Sequence, residues 1–412
     1  MNPISIASSL PSHWREVRFR YIAATSKGRL PTKEEEDVAV DALPYLSMEY
    51  LRGDTEASQY VPAQGMLTAE NNDVLLLWDG SNAGEFLKAK RGAVSSTTAL
   101  VTPLQFDRQF LFWICKAVEP VLKTFTNGMG IPHVDGEFLK NLALPCPTNP
   151  DEQSRIAIYL DREIARIDGL IAEKELMLAL LEEKRAALIS RFVTRGLDQN
   201  VPLKPSCQEW LGEIPAHWRV ERAKNLFMVR DERSDDGSEE LLTVSHITGV
   251  TSRSEKDVYM FEADDKAGYK RCMPGDLAIN TLWAWMGAMG ISPLAGIVSP
   301  DYHVYTSKGE LLPEYVDLLC RSLPFVAEVS RWSKGVWSSR LRLYPENFFE
   351  MRLPVPPHDE QAAIVRAVKV DQRKANALRE SLQLSITLAN ERRAALITAA
   401  VIGQIPLQEM TE

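Results

Sequence analysis

Pro11-Ser12-His13-Trp14-Arg15 returns 204 residues later as Pro215-Ala216-His217-Trp218-Arg219. Tryptophan and histidine are scarce, 9 and 6 among 412 residues, so their agreement in one frame marks a unit written twice. Such internal repeats decide an architecture before any local signal does. The echo continues along the chain. Asp73-Val74-Leu75-Leu76 with Gly84 returns as Asp276-Leu277-Ala278-Ile279 with Gly287. Pro145-Cys146-Pro147 followed by Asp151-Glu152-Gln153 returns as Pro354-Val355-Pro356 followed by Asp359-Glu360-Gln361. Arg185-Ala186-Ala187-Leu188-Ile189 returns as Arg393-Ala394-Ala395-Leu396-Ile397. The predicted order is therefore a globular part (1–150), a helical part (151–196), a second globular part (197–358) and a second helical part (359–412).

A chain of 412 residues exceeds one ordinary hydrophobic core, in agreement with this duplication. The 45% hydrophobic and 25% charged content is that of a globular protein. Five scattered cysteines, none in a C-x-x-C pair, argue against a disulfide framework or a zinc site and suit a reducing cytoplasm. Met1 to Leu10 has neither a basic nor a long apolar region, so no signal peptide is expected. Leu277 to Pro300 is free of charge and long enough to suggest a membrane span. Asn280, Gly287, Gly290, Pro293 and Gly296 interrupt it, however, and predict short buried strands joined by tight turns. The net charge is −9, and none of the four segments is basic overall. Composition alone thus gives no pointer to nucleic acid, and any such contact must come from local clusters.

Mixed α/β structure is expected in the globular parts. Val74–Trp78, Ala99–Thr102 and Gly296–Val298 read as buried strands, Phe110–Lys123 and Glu314–Val329 as helices. The helical parts are clearer. Asn149-Pro150-Asp151-Glu152 offers an N-cap, a proline at the first helical position and an acid in the first turn. Ile164, Ile167, Ile171, Lys174, Leu178, Leu181, Arg185, Leu188 and Phe192 then alternate steps of three and four, the signature of a coiled-coil seam. Leu378, Leu382, Ile386, Ala389, Arg393, Leu396 and Ala400 give the second copy a weaker seam, entered through Pro357-His358 without the asparagine cap. Leu178, Leu181, Leu188, Leu382, Ile386 and Leu396 are the candidate interface residues of an antiparallel helix pair. The alternative is an amphipathic helix lying on its own domain. A helix of about 45 residues spans roughly 65 Å.

The whole arrangement resembles the specificity subunit of type I restriction-modification systems. The resemblance rests on the repeated I/L-P-x-H-W-R opening, the P-x-P…D-E-Q entry into each helix, and the stretch from Gly196-Leu197 through Glu209-Trp210-Leu211-Gly212-Glu213-Ile214-Pro215. Trp283-Ala284-Trp285-Met286-Gly287-Ala288-Met289-Gly290 and Gly296-Ile297-Val298-Ser299-Pro300 belong to it as well. It implies two target-recognition domains held apart by two long helices, each domain reading one half of a bipartite, asymmetric site in double-stranded DNA. It further implies docking of two methyltransferase subunits, with two restriction subunits as optional partners. S-adenosylmethionine would sit on the methyltransferase, and this chain would hold no cofactor and no metal.

Catalytic signatures are missing where they would be recognised. There is no G-x-x-x-x-G-K-S/T loop, no G-x-G-x-x-G stretch and no Asn-Pro-Pro-aromatic turn. Asp264-Asp265-Lys266 and Glu182-Glu183-Lys184 only superficially resemble nuclease spacing. His13 and His217, beside their tryptophans, are expected to anchor the start of each core. Trp283 and Trp285, in the uncharged stretch, are likewise expected inside. The DNA-facing candidates are Arg331, Lys334, Ser338, Arg340 and Arg342, in a segment with two tryptophans and no acid. Lysine and serine suit phosphate anchoring there, and arginine suits reading guanine edges. Lys123 and Asn127 occupy the corresponding place in the first copy, and Lys88, Lys90 and Arg91 form its other basic cluster. Two other readings compete: a nuclease with an unrecognised motif, and a coiled-coil scaffold that does not touch DNA.

Overall fold

A computed structural model describes residues 11–31, 42–53, 55–127, 130–255, 265–335 and 341–410. Its architecture is mixed α/β, and the repeat in the sequence recurs in space. The chain forms two compact units, Met1–Lys174 with Leu384–Glu412, and Glu175–Gln383. Each unit joins one globular domain to portions of both long helices.

In the first unit, strand Trp14–Arg18 pairs antiparallel with Ala143–Pro147, setting the opening of the domain against its close. Between them lies an antiparallel sheet in the order Ala23–Lys27, Thr98–Pro103, Val74–Leu77, Phe86–Lys88. All four residues of Val74–Leu77 are buried, which is why that strand reads as an unbroken apolar run. Helix Arg108–Thr124 covers the sheet with Phe110, Leu111, Ile114, Val118 and Leu122, residues spaced to one helical face. Asp107 caps it, accepting from the Phe110 N–H at 2.9 Å.

The second unit repeats this plan. Arg219–Arg222 pairs with Arg352–Val355, and the sheet runs Phe227–Val229, Tyr302–Ser307, Leu277–Asn280, Met289–Ile291. Leu277–Pro300 is indeed short strands and turns, with Gly287 in the left-handed region at φ 91°. Each unit also contains a parallel pairing, Tyr45 with Ala93 and Leu241 with Ile297. It passes over a glycine in both. A Cβ on Gly92 would lie 2.5 Å from the Pro44 carbonyl oxygen, and one on Gly296 would lie 2.3 Å from that of Glu240. Only glycine admits so close an approach. One expected helix is divided. Glu314–Val329 is two helices, Pro313–Arg321 and Leu323–Trp332, that meet at the extended Ser322. Pro324 has no N–H to donate, and in a continuous helix its ring would strike the Cys320 carbonyl.

The long helices are Pro150–Arg195, of 46 residues, and His358–Val401, of 44. Asn149 starts the first, its side chain accepting from the Asp151 N–H at 3.0 Å. Without that cap, the second starts on the Pro357 carbonyl, which accepts from Glu360 and Gln361, both at 3.0 Å. Ile156, Ala157, Leu160, Ile164 and Ile167 enter the first core together with Ile397, Ala400 and Val401 from the end of the other helix. In the second core Ile364, Val365 and Val368 meet Ile189 and Val193. The start of each helix thus lies on its own domain, and the end of the other joins it there.

Within each unit the helices run antiparallel. Arg393 donates to Asp168 at 2.8 Å in the first, and Arg379 pairs with Glu182 in the second. Leu382 is buried on this seam, and Leu178, Leu181, Leu188, Ile386 and Leu396 are half-buried. Leu378 is not part of it, being 50% exposed. Leu378, Leu382 and Ile386 are separated by two successive steps of four, which overrun the helical turn. Arg379, next to Leu378, instead takes the inward place that alternating steps of three and four require. Among the described residues no helix is long and apolar enough to cross a membrane.

Candidate nucleic-acid interface

Each domain is rooted by the residues that mark the repeat. Trp218 is fully buried and its indole N–H donates to Glu360 Oε2 at 2.8 Å, where His217 Nε2 also arrives at 2.8 Å. His13 Nε2 meets Glu152 Oε1 at 2.9 Å in the first copy. The tryptophans are core, as expected, but both histidines are about half exposed and are held by the long helix, not by the domain interior. The glutamine that follows each glutamate ties down backbone. Gln361 accepts from Leu312 N–H at 2.7 Å and donates to the carbonyls of Glu310 and Pro356. Gln153 accepts from Asp107 N–H at 2.9 Å and donates to the Pro147 carbonyl. Each long helix ends in a left-handed glycine packed on the repeat tryptophan, Gly196 on Trp218 and Gly403 on Trp14.

Past the sheet, each domain presents a hairpin at the same topological place. In the first, Thr126–Asn127 pairs with His133–Val134, and the Val134 N–H donates to the Trp78 carbonyl at 2.9 Å. In the second, Lys334 and Arg342 exchange backbone hydrogen bonds at 2.9 Å, and the Leu343 N–H donates to the Thr281 carbonyl at 3.2 Å. Trp78 and Thr281 each follow the central buried strand, so both hairpins lie beyond the same strand end.

The candidate residues separate on this frame. Lys334 is exposed and Arg342 half-buried, and among the described residues neither has an ion-pair partner. Ser338 and Arg340 lie outside the described residues. Arg331 is engaged within the chain. Its guanidinium donates to both oxygens of the buried Glu328, at 2.7 and 2.6 Å, which raises its pKa. The Trp332 indole shares that carboxylate at 2.7 Å. Lys123 is paired with Glu119 at 2.9 Å at the base of the first hairpin, where the backbone of Asn127 pairs with His133.

Lys88 lies opposite Val74, at the other end of the central strand from Trp78. It reaches Asp161 of the first long helix at 3.2 Å, and the Trp113 indole N–H donates to the same oxygen at 3.1 Å. Lys90 donates to the Tyr50 carbonyl and lies 4.3 Å from the centre of the Tyr50 ring. Arg91 is exposed, 3.9 Å from Glu70. The basic cluster at 88–91 is therefore not brought together with the hairpin. Sequence reasoning missed what does stand there. Asp79 bridges to His133 and is paired with Lys27 at 2.6 Å, a contact between residues 52 positions apart that no local cluster announces.

Trp283 corrects an expectation. It is 50% exposed, not core, and stacks on Trp285 with ring centres 6.4 Å apart. The turn Ala284–Met286 buries Ala284, and a Cβ on Gly287 would lie 3.1 Å from Val326, so the turn's small residues take the inner side and push the indole out. In the separate strand pair Lys270–Cys272 with Gly296–Val298, Lys270 donates to the carbonyls of Pro300 and Tyr302, at 3.0 and 2.6 Å. Burial, with the charge of Lys270 adding to it, lowers the neighbouring His303 to a pKa of about 4. Among the described residues no group of histidine, cysteine and carboxylate side chains could hold a metal ion.

Comparison with known proteins agrees with this geometry. The sequence pattern of the family described as "Type I restriction modification DNA specificity domain" matches residues 11–176. The chain is 34% identical over 220 residues to the type I restriction enzyme MjaVIII specificity subunit of Methanocaldococcus jannaschii, a match covering 53% of this chain and half of that relative's length. It is 20% identical over 428 residues to the EcoDI specificity subunit of Escherichia coli, covering 98% of this chain and 92% of the relative. A chain from a structure titled for complex assembly and conformational transition of the type I R-M system superposes with a TM-score of 0.71 at 16% identity, covering 96% of this chain and 100% of that one. The HsdS subunit from Thermoanaerobacter tengcongensis gives 0.51 at 16% identity, covering 96% and 98%. At these identities the two structures speak for the fold alone.

Proposed function

We propose that this chain is a type I restriction-modification specificity subunit, one that reads a two-part sequence in double-stranded DNA and lends that specificity to a methyltransferase. The observation that carries the reading is the duplicated hairpin, set at one place in two copies of one sheet and differing in side chains between the copies. Equal frames with unequal tips suit two half-sites of unequal sequence. Lys334 anchors a phosphate and Arg342 approaches the groove, with Ser338 and Arg340 between them in the chain. The helix seam at Leu178, Leu181, Leu188, Leu382, Ile386 and Leu396 sets the spacing and contributes to the surface on which two methyltransferase subunits dock. Two restriction subunits can join that complex. The chain itself is non-catalytic and works in the cytoplasm, and S-adenosylmethionine is held by the methyltransferase.

The test is methylation sequencing in a host expressing the chain with its cognate methyltransferase. Exchanging the second domain for that of a related subunit, with joints near Pro202 and Pro356, should change one half of the methylated motif and preserve the other. A change in both halves would refute two independent readers. Metal-dependent cleavage of DNA by the purified chain would restore the nuclease reading.

A further inference from the structure

We infer that Trp283 is a base-contacting residue of the second domain, touching an apolar base edge or face in the half-site which that domain reads. The inference rests on the proposed DNA-reading function and adds to it a residue outside the basic hairpin. A half-exposed tryptophan offers the largest apolar face a single side chain can present to a partner, with an N–H at its edge. Here the exposure is built in. Ala284 and Gly287 fill the inner side of the turn, and Trp285 supports the outer ring from behind with the planes 21° apart. Met286 is also exposed, at 37%, which widens the apolar tip.

Position selects DNA as the occupant. Thr281, two residues before Trp283, accepts the hydrogen bond from Leu343 that fixes the returning arm of the hairpin. Arg342 is the residue next to Leu343, and Lys334 is its cross-strand partner. The segment that leads into the apolar tip is therefore bonded to the arm that carries Arg342 and its cross-strand partner Lys334, two cations without ion-pair partners among the described residues. Such cations can hold a phosphate backbone while an apolar group meets the bases. The equivalent turn in the first domain offers no such ring. The 203-residue offset that aligns Gly84 with Gly287 places Gly80 where Trp283 stands. The contact should accordingly belong to one half-site and not to the other.

The experiment uses the full chain co-expressed with its methyltransferase and compares the parent with Trp283→Ala and Trp283→Phe. For Trp283→Ala, discrimination at one base pair of the half-site assigned by domain exchange should fall about tenfold, the scale of losing one direct base contact. The other half-site should be read as before. Trp283→Phe should keep most of the discrimination. Thermal unfolding of both variants should stay close to the parent, since the indole is half exposed and belongs to no core cluster. An unchanged motif in Trp283→Ala would overturn the inference. So would a uniform loss of affinity over all sequences, which would make the residue a backbone anchor. Loss of methyltransferase capture with base discrimination intact would assign the tip to a protein partner and overturn it too. A parent chain that confers no methylated motif would instead count against the DNA-reading function itself.

Discussion

Replacing Arg331 with alanine should weaken the fold of the second domain more than it weakens DNA binding. Glu328 has only 3% of its side chain exposed, and both of its oxygens accept from the Arg331 guanidinium. Removing that partner leaves the buried carboxylate to the Trp332 indole N–H. Breaking a fully buried pair in this way costs about 3–5 kcal/mol. Arg331 is itself 58% exposed, so water replaces part of what it gives, and roughly 1–3 kcal/mol is the working expectation. Urea unfolding followed by tryptophan fluorescence would read this as a lower midpoint for Arg331→Ala. Pairing it with Glu328→Gln should recover most of the loss, because a neutral amide is cheaper to bury and its oxygen still accepts from Trp332. DNA affinity measured in parallel at two salt concentrations should retain the parent's salt dependence. If Arg331→Ala unfolded like the parent yet bound DNA with a salt slope lower by about one, the guanidinium would be a phosphate contact and this reasoning would fail.

Lys334→Ala should behave in the opposite way, binding every sequence more weakly with a salt slope reduced by about one and unfolding unchanged. A loss restricted to one base pair would contradict its role as an anchor. His303 gives the second domain an acid sensitivity. Its folded pKa of about 4 lies below the unfolded value, so its contribution to stability is complete above about pH 6.5 and declines as the pH falls toward about 4. His303→Gln should therefore lose less melting temperature than the parent between about pH 7 and about pH 5, and equal losses would exclude His303 as the source.

The architecture was legible because the repeat restricts it twice over. His13-Trp14 and His217-Trp218 located both domain openings, and the three-four spacing from Ile164 to Phe192 located the first long helix. Local patterns carried less at positions governed by distant partners. Leu378 fits an apolar pattern but faces out, because Leu382 and Ile386 of the same helix set the rotation that meets the opposing helix. Trp283 lies in an uncharged run and still emerges, because its turn buries alanine and glycine instead. The basic clusters were the least legible. Charge along the chain does not show which cations are already matched, and Lys88, Lys123 and Arg331 are matched by Asp161, Glu119 and Glu328. Only a fold that brings residues 73 positions apart together, as with Lys88 and Asp161, sorts those cations from Lys334.

The way each domain is attached explains how a reader can diverge while its mount stays fixed. Gln361 touches the domain through the Leu312 N–H and the Glu310 and Pro356 carbonyls, and Gln153 touches its own through the Asp107 N–H and the Pro147 carbonyl. These are main-chain groups, present whatever side chains the domain carries, so sequence change in the reader does not disturb the joint. The side-chain parts of the joint are residues of the repeat itself, histidine on the glutamate in both copies and the tryptophan indole on it in the second, with a left-handed glycine closing over the indole. Domain side chains also reach the long helices, as Lys88 and the Trp113 indole do at Asp161 in the first unit. The Tyr315 hydroxyl donates to the Val193 carbonyl at 3.1 Å from a fully buried site, and it belongs to the second domain, not to the helix. The Val193 carbonyl lies in the last turn of its helix, where no backbone N–H reaches it. A domain without a tyrosine there would leave it unpaired and lose about 1–3 kcal/mol, a tolerable fraction of a domain's stability. The attachment thus demands a backbone path and a few fixed residues, while the hairpin and the turn at Trp283, which no part of the joint touches, are free to change with the DNA they read.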